Sequence, residues 1–339
     1  MKSRLLQSMT PLVSVIVVNY NGKDLLLSCL ESLQRQTVLD LEVILVDNAS
    51  QDGSLDVACK LAKKWPSLTI YPQKNNLGFA GGCCKGLEVA RGRFIALLNN
   101  DAVAHEQWLE HLVKGMEKDP NIGICASKIL VFGKNIIDSA GDGYSSAGKG
   151  FKRGEGEPID RYNHEEFVFG ACAGAALYRR KMIEEIGFLD EEFFLIHEDT
   201  DLNWRAHLFG WKVLYVPKAL VYHKVRSSIG HNSYASVYYT VRNNELVRMK
   251  NLPLSFFARH LFSIFLGEIT MFIYFCMLQK RPKAYFKGKL DALKMIPHFL
   301  KKRRSILQKA NPSPQELEAW VTSVWDKEFL KQKLLKLRS

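Results

Sequence analysis

This 339-residue chain predicts an α/β fold built on a mainly parallel sheet, and three apolar runs near its start carry that prediction. Val13–Val18 leads into Asn19-Tyr20-Asn21-Gly22, Val43–Val46 into Asp47-Asn48-Ala49-Ser50, and Phe94–Leu98 into Asn99-Asn100-Asp101. Each run is short and continuously apolar, the pattern of a strand covered on both faces. Helix-period segments separate them, with Leu26, Leu30 and Leu33 before the second run and Leu109, Leu112, Val113 and Met116 after the third. Open sheets of this kind hold ligands outside the carboxyl ends of their strands, where all three polar clusters fall. One composite site is expected.

Taken in order, each element offers a chemical reading beside a plainer one. Asp47 ends a buried strand, where a carboxylate can accept from a pyrimidine N–H or from ribose hydroxyls; an acidic turn before the helix starting near Ser54 is the plain alternative. Asn75–Gly82 opens a helix, so backbone N–H groups there suit a phosphate, or the glycines serve tight packing. The spacing is not that of a nicotinamide fingerprint. Asn99-Asn100-Asp101 offers hard oxygen ligands for Mg²⁺ or Mn²⁺ on a diphosphate, or a cap for the helix at Trp108. Ile122–Ala126 is the next strand. Val131–Pro158, rich in glycine and serine, reads as hairpin or loop chemistry joining two halves of one domain. After the small-residue run Gly170–Ala176, Glu198-Asp199-Thr200-Asp201 places three carboxylates at a helix start, where the macrodipole favours their ionised form. That suits a general base, although acidic first-turn decoration is equally ordinary. His223 follows the strand Lys212–Val216 and the run Leu220-Val221-Tyr222, beside Lys224 and Arg226. A lone histidine is more often structural than a ligand.

Charge divides the chain. The net charge is +12, yet residues 1–240 carry 27 Lys and Arg against 28 Asp and Glu, while residues 241–339 carry 20 against 7. The excess lies in the last third, where Leu261–Leu278 is apolar apart from Glu268 and is flanked by Arg259, His260, Lys280, Arg281 and Lys283. An interfacial helix on anionic lipid is the favoured reading; a membrane span and a packed soluble helix are the alternatives. Lys301–Arg304 and Lys331–Arg338 add basic clusters that such a surface attracts. The seven cysteines are odd in number and form no C-x-x-C pair, which fits a reduced, cytosolic compartment. Lys2 and Arg4 precede an apolar run that breaks at Asn19, unlike a secretory signal.

In order and spacing, Val13–Gly22, Val46–Ser54 and Gly187-Phe188-Leu189-Asp190-Glu191 through Asp201 resemble family 2 glycosyltransferases. These are inverting enzymes of the GT-A fold, and the similarity is strongest to the bacterial rhamnosyltransferase-like branch. The resemblance covers about Pro11 to Ser228, with a weaker echo at Tyr238–Asn244. It implies a GT-A catalytic domain over residues 1–235 and a basic, helical C-terminal region over 236–339. It implies a nucleotide-diphosphate sugar donor, a divalent cation (Mg or Mn) and a glycan or lipid-linked acceptor. With the basic tail, the protein is expected to be cytoplasmic and peripheral on the inner face of the plasma membrane, and the lack of an RNA- or DNA-reading motif among the basic residues points to no nucleic acid partner. By the same resemblance, Asp47 recognises the base, and Asn19, Asn21, Asn76, Gly78, Asn100, Asp101 and Arg242 complete the nucleotide-sugar set. Asp101 stands for the surviving carboxylate of the D-x-D motif, with His223 completing the metal site. Asp199 is the catalytic base, supported by Glu198 and Asp201, and Gly170–Ala176 lies under the acceptor. Two departures stand out: Asn99 replaces the first D-x-D carboxylate, and Cys83-Cys84 sits where relatives often carry asparagine. A nucleotidyltransferase would share the carboxylates but needs a glycine-rich loop and arginine after the first strand. A non-enzymatic basic binding protein would leave the Asp47, Asp101 and Asp199 series without a use.

Overall fold

The computed structural model describes residues 10–224, 233–310 and 314–331. Arg226 and the basic cluster beyond Lys331 lie outside the described residues. Four parallel strands form one half of the main sheet: β1 (Val13–Asn19), β2 (Leu41–Asp47), β3 (Leu68–Pro72) and β4 (Phe94–Leu98), in the order β3-β2-β1-β4. They alternate with α1 (Lys23–Gln34), α2 (Ser54–Ala62) and α3 (Gly78–Val89). The continuous apolar runs have the expected cause. Val13, Val15 and Val17 join one core cluster with Leu26, Leu30 and Leu33, while Ile16 faces the opposite cluster with Ile44, Val46 and Cys83.

The second half is mixed. β5 (Ala102–Ala104), α4 (Trp108–Glu117) and β6 (Ile122–Val131) come next, and the predicted strand at Ile122–Ala126 runs on to Val131. The glycine- and serine-rich segment folds as β7 (Ile137–Ala140), β8 (Asp142–Ser145) and β9 (Lys149–Lys152); β7 pairs with β6, and β8 with β9 forms a separate hairpin. After the short β10 (Glu166–Phe167) comes β11 (Ala175–Arg179), which runs antiparallel between β4 and β6. α5 (Arg180–Ile186) and α6 (Glu198–Leu208) follow. β12 (Lys212–His223) then lies parallel to β6, and an irregularity between Val216 and Leu220 joins the two runs read from the sequence into one strand.

The basic third continues as α7 (Tyr234–Asn251), α8 (Leu254–Phe272), a π-helical turn (Ile273–Leu278), α9 (Pro282–Lys309), a short α10 (Pro314–Glu318) and β13 (Val321–Thr322), which pairs with β8. A third apolar cluster binds these helices to the sheet layers: Tyr144, Phe193 and Trp204 pack with Leu246, Phe256 and Phe299. All seven cysteines are free.

Candidate active site

The polar clusters read from separate segments meet at one edge of the sheet. Register places Asn19 beside Asp47, each the last residue of its strand. Asn19 Nδ2 donates to Asp47 Oδ1 (3.0 Å) and to Ser50 Oγ (3.1 Å), and Asn100 Nδ2 donates to Asn19 Oδ1 (2.8 Å). The other Asp47 oxygen accepts from the Ser50 N–H at 3.0 Å. Asn21 joins from the turn: its N–H donates to Ser50 Oγ, and its side-chain oxygen accepts from the Gln51 N–H. A Cβ on Gly22 would overlap the Asn100 amide and Asn19 Oδ1, so the entry to α1 comes this close only as glycine. Asn76 Oδ1 accepts from the Gly78 N–H (2.9 Å), fixing the turn that opens α3. Gly78 has φ +72° and lies against Phe194, which ties this turn to the loop leading into α6.

A second group surrounds His223. Its Nε2 lies 3.1 Å from Asp101 Oδ1 and its Nδ1 lies 3.0 Å from Asp138 Oδ2. Burial opposes a charged ring here, but the hydrogen bonds to Asp101 and Asp138 outweigh it and raise the pKa to about 9. The two ring nitrogens thus face one carboxylate each, and a cation bound at Nε2 would take the place of the proton there. Asp138 also accepts from Lys152 Nζ at both oxygens, 2.8 and 2.9 Å. Burial alone would raise its pKa, yet Lys152 and His223 hold it well below the usual carboxylate range. Asp138 and Lys152 were not singled out from the sequence. The only local signal is an aspartate directly after Ile136-Ile137.

A carboxylate oxygen and an imidazole Nε2 whose other nitrogen is anchored by a second carboxylate form a donor set that fits a divalent cation. Among the described residues no group of three or more His, Cys, Asp or Glu completes such a site. The remaining positions would fall to phosphate oxygens and water.

The acidic cluster forms the first turn of α6, entered through His197 in the left-handed region at φ +72°. Its three carboxylates have different surroundings. Asp199 Oδ1 accepts from the Thr200 N–H (2.7 Å), and Oδ2 accepts from the Ala173 N–H (3.2 Å) in the small-residue run. Glu198 is pushed well up by burial and then by the charge of Asp199, which favours its neutral form. Asp201 is fully enclosed, with Oδ2 accepting from Arg205 Nε and Lys250 Nζ, both at 2.9 Å, and Oδ1 from Asn251 Nδ2 at 2.8 Å. Although burial opposes it, Lys250 and then Arg205 keep its pKa low. Asp142 on β8 is a further carboxylate of this region; burial and then the charge of Asp199 push it well up.

Arg242 does not join the Asp47 network. Its Nη2 donates to the carbonyls of Glu192 (2.8 Å) and Phe193 (2.9 Å), and its guanidinium lies over the Tyr239 ring. Asn243 Nδ2 reaches the carbonyls of Phe193, Leu195 and Ile196. Both residues brace the loop that leads into α6. Lys224 Nζ donates to Ser28 Oγ at 3.2 Å.

Residues 14–187 match the sequence family described as Glycosyl transferase family 2. The putative glycosyltransferase EpsH of Bacillus subtilis is 29% identical over 234 residues, 65% of this chain and 62% of EpsH. The match thus spans less than two thirds of that relative's length. Among solved structures, S. aureus TarS 1-349 in complex with UDP-GlcNAc is similar with a TM-score of 0.57 at 18% identity, over 87% of this chain and 90% of that one. GalNAc-T7 with UDP, GalNAc and Mn2+ has a TM-score of 0.57 at 18% identity, over 79% of this chain and 58% of the other. At these identities the likeness is one of fold.

Proposed function

The chain belongs to glycosyl transferase family 2, and from that premise we propose that it is an inverting glycosyltransferase moving a sugar from a nucleotide-diphosphate donor to an acceptor hydroxyl. The observation that carries this reading is the differentiated acidic turn at the start of α6. Asp199 is tied to the small-residue run by the Ala173 N–H, while Asp201 is enclosed by cations and Glu198 is favoured neutral. Of the three, Asp199 is the one with part of its surface exposed, and so the one an acceptor hydroxyl can reach. As the acceptor oxygen forms its bond to the anomeric carbon, its proton passes to Asp199; the bond from that carbon to the diphosphate breaks, and the electron pair leaves with the diphosphate. Attack opposite the leaving group inverts the anomeric centre. Asn19, Asp47 and Asn100 would hold the nucleoside through their shared amide and carboxylate groups. Asp101 and His223 would hold a divalent cation, which when bound offsets the charge growing on the leaving diphosphate.

Rhamnose is the first sugar to test, given the resemblance of the ordered set of segments to the rhamnosyltransferase-like branch. A lipid-linked acceptor at the cytoplasmic leaflet would account for a basic, apolar C-terminal third, with the protein peripheral on an anionic membrane. The test is a screen of nucleotide-diphosphate sugars for release of nucleoside diphosphate, with Mg²⁺ or Mn²⁺ and after chelation. At least one donor should be hydrolysed or transferred, and chelation should remove most of that turnover. Full turnover after verified metal removal would refute the cation assignment, and release of pyrophosphate instead would indicate nucleotidyl transfer.

A further inference from the structure

We propose that the joined outer face of α8, the π-helical turn and α9 is a docking surface for an anionic lipid bilayer, on which α8 lies in the membrane plane without crossing it. The proposal rests on the membrane reading above and makes it specific. By length and composition alone, Leu254–Leu278 could cross a membrane. Its side chains are divided between two environments. Leu261, Phe262, Phe265, Ile269, Phe272 and Ile273 are all exposed, and at 3.6 residues per turn they share about one third of the helix circumference. Phe256, Gly267 and Met271 are buried on the opposite side.

The inner side is fastened to the folded body halfway along its length. A Cβ on Gly267 would come within 2.8 Å of Ala147 Cβ, so α8 sits directly against the β8–β9 turn. Lys149 Nζ donates to the Gly267 carbonyl. Glu268, the carboxylate that interrupts the apolar run, turns inward to Arg248 (Nη1–Oε1, 2.8 Å) and to Lys289. A spanning helix would have to bring this hairpin and its ion pairs into hydrocarbon, where unsatisfied backbone and charge are costly. Lying flat, α8 gives lipid only its outer face, and no charged side chain interrupts that face from Leu261 to Ile273.

The second helix extends the surface and supplies its sign. The Phe272 and Phe286 rings are 6.2 Å apart, so the exposed stripe of α8 continues onto α9 through Phe286, Leu290, Leu293 and Leu300. Along one flank of that stripe run the exposed Lys283, Lys287, Lys294 and Lys301. An apolar stripe bordered by cations is the pattern of a helix held at a lipid interface by burial and by anionic headgroups together.

The experiment adds the full chain to sealed vesicles of phosphatidylcholine with or without phosphatidylglycerol and measures sedimentation. Binding should need phosphatidylglycerol, weaken with salt, and fall at least about 100-fold in F262Q/F265Q, roughly tenfold for each phenylalanine kept out of the interface. The variant should turn over donor in solution at the normal rate. Cysteines placed at Ser255 and Gln279, labelled with an impermeant thiol reagent and read peptide by peptide, should both react from outside. Protection of one end would overturn the in-plane arrangement. Binding of F262Q/F265Q equal to the parent would show that this face is the wrong one while the membrane reading stands. No vesicle binding by the parent would overturn both. So would a dimer in solution that the double substitution dissolves, which would make the face a contact between copies of this chain.

Discussion

Asn substitutions at Asp199 and Asp201, two residues apart on one helical turn, should fail in different ways. Asp201 has no exposed surface, and its oxygens accept from Arg205, Lys250 and Asn251. Asparagine supplies one acceptor and turns an NH₂ toward a donor, leaving two buried cations short of a counter-charge. Breaking a buried pair costs about 3–5 kcal/mol. Lys250 keeps Asp190 at 2.7 Å, so the lower end is expected. At roughly 2–4 °C per kcal/mol for a large domain, D201N should melt on the order of 10 °C lower. Asp199 accepts from two backbone N–H groups, Thr200 and Ala173, and asparagine can satisfy one of them. That loss is about 1–2 kcal/mol and a few degrees. Its larger effect should be on chemistry: transfer should slow by about 10²–10⁴-fold with donor affinity nearly unchanged. Thermal melts, a donor titration and nucleoside diphosphate release with acceptor present, run on both variants, separate the two roles. Near-normal transfer by D199N, or a D201N that melts normally but is inactive, would refute the assignment.

Two further outcomes follow from the same geometry. G22A should weaken nucleotide binding at least tenfold in a titration, because its Cβ overlaps the Asn19–Asn100 pair; unchanged affinity would detach that pair from the donor site. His207 should cost the fold stability as the pH falls from 6.5 to 4, against the opposite contribution of Glu198 and Asp142, because burial lowers it from 6.5 to about 4 even though its Nε2 bonds the Phe169 carbonyl. In that window the unfolded chain binds the proton that the folded chain refuses. The stability is therefore present above 6.5 and is lost as the pH falls, to the extent of roughly 3 kcal/mol for this group. His197, also lowered to about 4 by burial, contributes in the same direction. Urea melts of the parent and H207Q across this range should differ in pH dependence by roughly 3 kcal/mol, and an identical dependence would show that His207 does not contribute.

The strands and the strand-end carboxylates were legible because their signals are local: an apolar run covered on both faces, then a polar residue at its carboxyl end. Asp138 and Lys152 were not, because their position beside His223 depends on β7 pairing with β6 and β9 with β8, in a segment whose composition marks only turns. α7 was expected as helix, but its buried side was opaque for a different reason. Hydrophobic periodicity assumes that the inner face is apolar, yet Arg242, Asn243, Asn244, Arg248, Lys250 and Asn251 are all buried there. Their partners are the carbonyls entering α6, the carbonyls of the β8–β9 turn, and Asp201. A polar inner face of this kind becomes readable only once the surface it must satisfy is known. Glu268 makes the same point at the opposite extreme. In the sequence it is a charge spoiling an apolar run; in the fold it is the group that pins that run to Arg248, and so determines which side of the helix is left for another partner. The acidic turn and the apolar helix thus depend on one element, since α7 supplies both the Lys250 that holds Asp201 and the Arg248 that holds Glu268.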